Sequence, residues 1–448
     1  MDKGIRGEKR LLSVEQFYDM NKEILKLAIP NILSNISVPL LSTVDTALMG
    51  RLSEVHIGAV GLGAMIFNFI YWNFGFLRMG TTGLTAQEYG KGSVKGIAAN
   101  FGRSMMVALG LAAFVMVIHV PLAESSFYLL NVDGSQRGLV AEYFYIRIWA
   151  APATLSLYAF MGWFFGMQNA IYPMILTIFI NVVNIVLSYY FVHVLGWEVA
   201  GVAYGTMIAQ YAGFVLAIIL FYFGYQEYIQ HFRKELIIQW TELKKFLQVN
   251  GDIFIRTFCL TFAFGYFYSQ SSANGELILA ANVILLQFLN WMSYGVDGFA
   301  FASESLVGKY AGAKDEAKTN QAIRLTFIWG MGLAAIFALV YGLFGVEILR
   351  LFTNQEDVIA TTIPFLIWMV LFPLLSTPCY LWDGIFIGLT ASKAMRNGMI
   401  AAFAIYLGSN YLLLAWENDG LWLALLLFMI ARGGIQQWLY WRYGMALK

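Results

Sequence analysis

Asp45 lies inside an apolar run, Leu27 to Gly50, that reads LAIPNILSNISVPLLSTVDTALMG. The run is long enough to cross a bilayer. A carboxylate at membrane depth is costly, so its default role is a substrate or ion site, weighed against a helix-end carboxylate that reaches water. Other polar groups recur at helical spacing. Asn181, Asn184 and Ser188 stand three and four apart in one uncharged run, and Thr206 and Gln210 stand four apart in the next, so each set shares a helix face. Oxygen ligands around one carboxylate suit a hard cation such as sodium, whose charge a single Asp45 would balance. Alternatively, burial favours the neutral acid and makes Asp45 a reversible proton carrier. The bland reading is polar glue between helices. With Asp45 at matching depth, a site is the favoured one.

The elements that must hold these residues are membrane helices. The 448 residues are 59% hydrophobic and only 12% charged, where soluble domains carry about 25% charged residues. Mean hydropathy is +0.66. With many uncharged runs near the bilayer-crossing length, this composition specifies an all-α polytopic membrane protein. A net charge of +1 gives no case for nucleic-acid binding. Cys259 and Cys379 both sit in apolar runs and read as small hydrophobes. Four scattered histidines offer no metal-ligand spacing, so no metal or other cofactor is expected. The first 20 residues are charged and lack a signal-peptide core.

Twelve spans are predicted. After the first come His56 to Leu77, continuing past Arg78 to about Gln87, then Ser104–Ala123, and a fourth from about Ala141. No Asp, Glu, Lys or Arg occurs in the 50 residues from Ile148 to Trp197. That is too long for one crossing, and the turn-like QNAIYP at 168–173 divides it into spans four and five. Val199 to Gln226 is the sixth. A polar linker, 224–243, separates an N-terminal unit (1–223) from a C-terminal unit (244–448). There the uncharged runs are Thr257–Gly275, Leu277–Val296, Leu325–Val346, Val358–Trp382 and Asn397–Trp416, followed by Gly420 to about Trp441. With the N-terminus inside, inner segments hold 21 of the 28 lysines and arginines. Outer loops hold Arg51, Arg137 and Arg350, and Arg78, Arg147, Arg256 and Arg432 fall within spans. Both termini are therefore expected in the cytoplasm, with the chain in the cell inner (plasma) membrane.

An internal repeat is visible. Gly80, Gly90 and Lys91 recur as Gly298, Gly308 and Lys309, each 218 positions later, and WEVAG at 197–201 recurs as WENDG at 416–420, displaced by 219. Six-helix halves with a shift that preserves direction imply parallel repeats about an axis along the membrane normal. In this orientation Asp45, Asn184, Ser188 and Thr206 all fall roughly 10 Å below the outer surface, at 1.5 Å per residue. Arg147 lies in the outer half of span four, a partner for Asp45 or Glu142. Asp252, Arg256, Asp297, Glu304 and Asp383 fall toward inner ends of spans and read as one salt-bridge network, an inner gate. Pro30 and Pro39 interrupt span one, where proline kinks a helix. Methionines and aromatics lining a cavity would suit bulky, varied ligands.

The strings AIPNILSNISVPLLSTVDTALMGRL and FLRMGTTGLTAQEYGKG resemble the multidrug and toxic compound extrusion (MATE) family, DinF-type branch. The likeness continues through YIRIWAAPATLSLYAFMGWFFGMQNA, NVVNIVLSYYFVHVLGWEVAGVAYGT, VDGFAFASESLVGKYAGAKD and LWDGIFIGLTASKAMRNGM, covering nearly the whole chain. The resemblance implies twelve helices in two pseudo-symmetric six-helix lobes facing a central cleft. It implies antiport, in which an ion gradient drives export of organic, often cationic compounds. Asp45, Asn184 and Thr206 match the family's N-lobe coupling site, Val202 a position contributing a backbone carbonyl, and Pro30 a proline linked to bending of the first helix. Where some relatives carry a second aspartate, this chain has Ser188, which favours proton over sodium coupling.

The expected partners are the bilayer and amphiphilic or cationic small molecules, with the monomer as the working unit. The alternative function is a lipid or lipid-linked glycan flippase on the same scaffold. An intramembrane aspartyl hydrolase would need two carboxylates at one depth. Asp297 and Asp383 are the available pair, without a catalytic motif, so no enzyme activity is expected.

Overall fold

The computed structural model describes the backbone of residues 14–49, 54–132 and 134–446, while the side chains of residues 14–16, 38–49, 54 and 135 lie outside what is described. Twelve long helices follow in order. They are α1 (Val14–Met49), α2 (Val55–Gly90), α3 (Val94–Val117), α4 (Gln136–Gly166), α5 (Ile171–Val194), α6 (Glu198–Gly224), α7 (Trp240–Ala273), α8 (Glu276–Gly312), α9 (Glu316–Phe352), α10 (Glu356–Gly388), α11 (Ser392–Leu412) and α12 (Leu414–Ala446). Among the described residues, nine of these are long and apolar enough to cross a membrane. α1, α7 and α11 pack among them and complete the twelve. The protein is thus an all-α, multi-pass membrane protein built of two six-helix halves, α1–α6 and α7–α12.

Most helices outrun the uncharged runs that announce them. α8 continues past Asp297 and Glu304 to Gly312, and α7 begins at Trp240 rather than near Thr257. α3 begins at Val94 rather than Ser104, enclosing Arg103. The charges do not end these helices because many are satisfied inside the protein. Arg103 is buried and donates to the carbonyls of Leu236 (2.6 Å) and Ile237 (3.2 Å), which pins the linker between the halves against α3. That linker holds two single-turn helices, Gln226–Ile229 and Lys234–Ile237.

Several helices are interrupted, α2 and α4 among them. α2 breaks at Gly75, between a first segment that ends at Phe74 and a second, Phe76–Gly90. α4 tightens into one 3-10 turn at Ile148–Ala150, just before Pro152. Proline has no N–H to continue the ladder, and the Trp149 carbonyl there accepts the Tyr211 hydroxyl of α6 at 2.8 Å.

α1 lies along α5 in its own half and along α8 in the other, and α8 also packs on α9, α10 and the second segment of α2. One contact is made twice with the halves exchanged. A Cβ on Gly80 of α2 would stand 2.5 Å from Asn250 of α7, and a Cβ on Gly298 of α8 would stand 2.3 Å from Ile32 of α1. Gly80 and Gly298 are 218 positions apart, as are Ile32 and Asn250. This is the relation that parallel repeats about one axis require.

The halves meet at the end carrying the C-termini of α2 and α8, the end expected to face the cytoplasm. A Cβ on Gly90 would lie 1.8 Å from the Lys309 carbonyl oxygen, so only glycine permits this crossing. Gln87 of α2 donates to the Gly388 carbonyl and to Thr390 Oγ1, each at 3.0 Å, and Gln168, in the turn after α4, donates to the Ser305 carbonyl of α8 at 2.9 Å. Thr390 and Gln168 occupy equivalent turns and share the left-handed conformation, at φ +55° and +62°.

Candidate functional site

α5 and α6 run antiparallel in close contact, and their shared face carries the polar cluster. Asn184 and Ser188, on one face of α5, are buried. Asn184 Nδ2 donates to Thr206 Oγ1 of α6 at 2.8 Å, and Thr206 Oγ1 donates to the Val202 carbonyl at 2.8 Å. Ser188 Oγ reaches Asn184 Oδ1 at 3.4 Å, a longer and weaker contact. Gly205 makes room for this packing, since a Cβ there would lie 2.5 Å from Ser188 Oγ. Four of the expected residues, Asn184, Ser188, Thr206 and Val202, therefore form one chain of hydrogen bonds between two helices. It presents amide, hydroxyl and carbonyl oxygens, the hard donors that suit a proton or a small cation.

Asn181, one turn earlier, instead turns toward α1. Its Nδ2 donates to Ser37 Oγ at 3.0 Å and to the Ser37 carbonyl at 3.3 Å. Gln210 is half-buried on α6 and makes no hydrogen bond among the described residues. Asp45 belongs to α1, but its side chain, like that of Pro39, lies outside the described residues. Pro30 is half-buried, and α1 is one continuous helix through it.

Arg147 is buried, while Glu142 is exposed, and the two do not pair. The guanidinium instead stands over the rings of Phe67 and Tyr71 of α2, at 5.4 and 5.5 Å.

The expected single inner network resolves into separate groups, and this corrects the sequence reading. Asp383 of α10 accepts from Arg256 of α7, from Arg432 of α12 at 2.7 Å and from Gln436 at 2.8 Å, all within the second half. Asp252 of α7 is bound by Ser392 (2.9 Å) and Arg396 (2.5 Å) of α11, again within that half. Glu304 of α8 pairs across the halves with Arg78 of α2 at 3.2 Å. Asp297 is half-buried and makes no hydrogen bond or ion pair among the described residues. The groups separate because Asp252, Glu304 and Asp383 each meet a cation on a different neighbouring helix. Among these five, Glu304 is the one that forms an ion pair across the halves among the described residues.

The sequence reading counted Arg78 and Arg432 among intramembrane charges without giving them partners, and it missed Gln87, Gln168 and Gln436. The available signal was the excess of intramembrane carboxylates over assigned cations. Choosing the pairs required knowing which helices touch.

Comparison with known proteins agrees with this architecture. The MatE family model matches the chain twice, over residues 30–190 and 253–414, once in each half. The chain is 34% identical over 431 residues to DNA damage-inducible protein F of Escherichia coli (strain K12), covering 95% of this chain and 93% of that protein. Two solved structures share its fold at 20% sequence identity. One is a MATE protein in the bent conformation, with TM-score 0.86 and 96% of each chain covered. The other is the outward-facing conformation of a multidrug resistance MATE family transporter, with TM-score 0.85, covering 96% of this chain and 97% of that one. With twelve helices in two repeated halves and the family model matched in each, the chain belongs to the MatE family and is a membrane transporter, not an enzyme.

Proposed function

We propose that this transporter is a secondary active multidrug efflux antiporter. It exports organic, often cationic compounds by alternating access, in exchange for protons rather than sodium, and the working unit is the monomer. Both termini are cytoplasmic, in the inner (plasma) membrane, with residues 1–223 and 244–448 as the moving lobes and 224–243 as their linker. Asp45 is the carrier, and Asn184, Ser188, Thr206 and the Val202 carbonyl are its surroundings. One solved structure of this fold is described as a multidrug resistance transporter, which supports the choice of cargo.

The observation that carries the coupling role is register. α1 and α5 run side by side in the same direction, with Ser37 bonded to Asn181. Ser188 follows Asn181 by seven positions and Asp45 follows Ser37 by eight. At about 1.5 Å per residue the two stand at the same level along the axis. Protonation of an aspartate at that level would remove a charge beside a helix pair that offers only neutral dipoles. α1, which also contacts α8 of the other lobe, would transmit the change, with Pro30 as its bend.

Efflux from proteoliposomes, with proton and sodium gradients imposed separately, tests the reading. A proton gradient alone should drive export in the wild type and fail to do so in Asp45→Asn. Wild-type export rates in Asp45→Asn would remove Asp45 from the mechanism, and export driven only by sodium would reverse the choice of ion.

A further inference from the structure

Four arginines fall within the predicted spans, and three of them meet a carboxylate. Arg78 has Glu304, and Arg256 and Arg432 share Asp383. Arg147 has none among the described residues, although it is only 8% exposed. Its guanidinium carbon stands over the rings of Phe67 and Tyr71, but an aromatic face is only a weak acceptor for N–H groups. Nη1 is buried without a close hydrogen-bond partner among the described residues.

The same shortage appears in its neighbours. Tyr71 lies beside both Arg147 and Thr154. Tyr71 is 7% exposed and Thr154 6%, and among the described residues their hydroxyls make no close hydrogen bond, only longer contacts with each other and with Arg147. Three buried polar groups from α2 and α4 thus converge on one place in long mutual contacts that leave Arg147 Nη1 without a close partner among the described residues. Buried donors left without acceptors are rare in folded proteins, and a charged one is the costliest kind. The backbone is shaped for this arrangement. Arg147 closes the first segment of α4, directly before the 3-10 turn at Ile148–Ala150, and the hydroxyl of Tyr211 holds that turn through the Trp149 carbonyl.

We propose that Arg147, Tyr71 and Thr154 form a recognition site for an oxyanion: a carboxylate, sulfonate or phosphate group. The guanidinium supplies charge and a planar pair of donors, and the two hydroxyls supply further donors. The site gives the N-terminal half a preference for molecules carrying an acidic group beside an apolar body, with Phe67 and Tyr71 as the apolar wall. Naming the ligand as transported cargo rests on the efflux reading; the binding itself does not.

The test is equilibrium binding to the purified full-length protein in neutral detergent, with rhodamine B, which carries a carboxylate, and its ethyl ester as matched probes. The wild type should bind the acid about tenfold more tightly than the ester, and Arg147→Met should erase that ratio while still binding the ester. Equal affinities in the wild type, or an undiminished ratio in a monodisperse Arg147→Met, would overturn the proposal. If Arg147→Met does not fold, Tyr71→Phe and Thr154→Val carry the test: each should lower the ratio about threefold with ester affinity unchanged, and an unaltered ratio in both refutes the site. Added phosphatidylglycerol that displaces rhodamine B through Arg147 identifies a lipid phosphate as the oxyanion; no displacement identifies the cargo's own acid. Intact discrimination in a protein that exports nothing from liposomes would leave this site standing and sink the transport reading alone.

Discussion

Arg78 of α2 and Glu304 of α8 form an ion pair across the two halves, Nη1 to Oε2 at 3.2 Å and Nη2 to Oε1 at 3.4 Å, with the arginine stacked 4.1 Å from the Phe301 ring centroid. Glu304 is buried. The pair sits among the other contacts that close this end of the molecule: Gln87 with Gly388, Gln168 with Ser305, and Lys309 with Glu23 at 3.1 Å. Any motion that parts the halves here must separate these groups together.

Breaking the Arg78–Glu304 pair from one side should therefore cost more than removing it. Glu304→Gln leaves a desolvated guanidinium and should lower stability by about 3–5 kcal/mol. The double variant Arg78→Met with Glu304→Gln should recover part of that loss. Thermal denaturation in detergent measures both, and additive losses would deny the coupling.

Gly90 permits the closest crossing of α2 and α8, with a hypothetical Cβ 1.8 Å from the Lys309 carbonyl oxygen. Gly90→Ala must push the helices apart. An overpacking cost of about 1–3 kcal/mol is expected, together with greater alkylation of a cysteine introduced at the exposed neighbour Lys91. Unchanged labelling and melting would mean that the crossing is looser than this distance implies.

Asp383 neutralises one charge while two buried arginines, Arg256 and Arg432, both donate to it. Asp383→Asn should destabilise the second half by about 3–5 kcal/mol, seen as a lower melting temperature. Full wild-type stability in Asp383→Asn would show that the cluster is already compensated by another group.

Thr206→Val removes the acceptor of Asn184 Nδ2 and the donor to the Val202 carbonyl. A loss of about 1–3 kcal/mol from the unpaired buried amide is expected. If the proposed coupling is correct, ion-driven efflux falls while cargo binding in detergent stays. Efflux and binding falling together would assign Thr206 to the cargo instead.

Much of the fold is legible in the primary structure because a bilayer imposes a simple rule. Segments of about 20 residues with few charges must be helices, since no other local structure satisfies its backbone in hydrocarbon. That rule announced twelve spans, and glycine spacing announced the repeat that Gly80 and Gly298 then realise by packing on Asn250 and Ile32. Helical periodicity alone was enough to put Asn184 and Ser188 on one face, whereas Val202 was named only by the family resemblance. Helix ends were read less well, as at α3, α7 and α8, because a charge ends an apolar run without ending a helix when a neighbour can pair with it.

Partner choice belongs to the tertiary structure. Nothing in one dimension says that Asp383 meets Arg256 and Arg432, that Glu304 crosses to Arg78, or that Arg147 meets the rings of Phe67 and Tyr71. Asn181, at the same spacing as Asn184, turns to Ser37 of α1 because three residues of a helix is less than a full turn and points it at a different neighbour. Local spacing determines which side chains share a face; only the packing of helices distant in sequence decides what that face meets, because ion pairs and hydrogen bonds depend on distances that sequence separation does not encode.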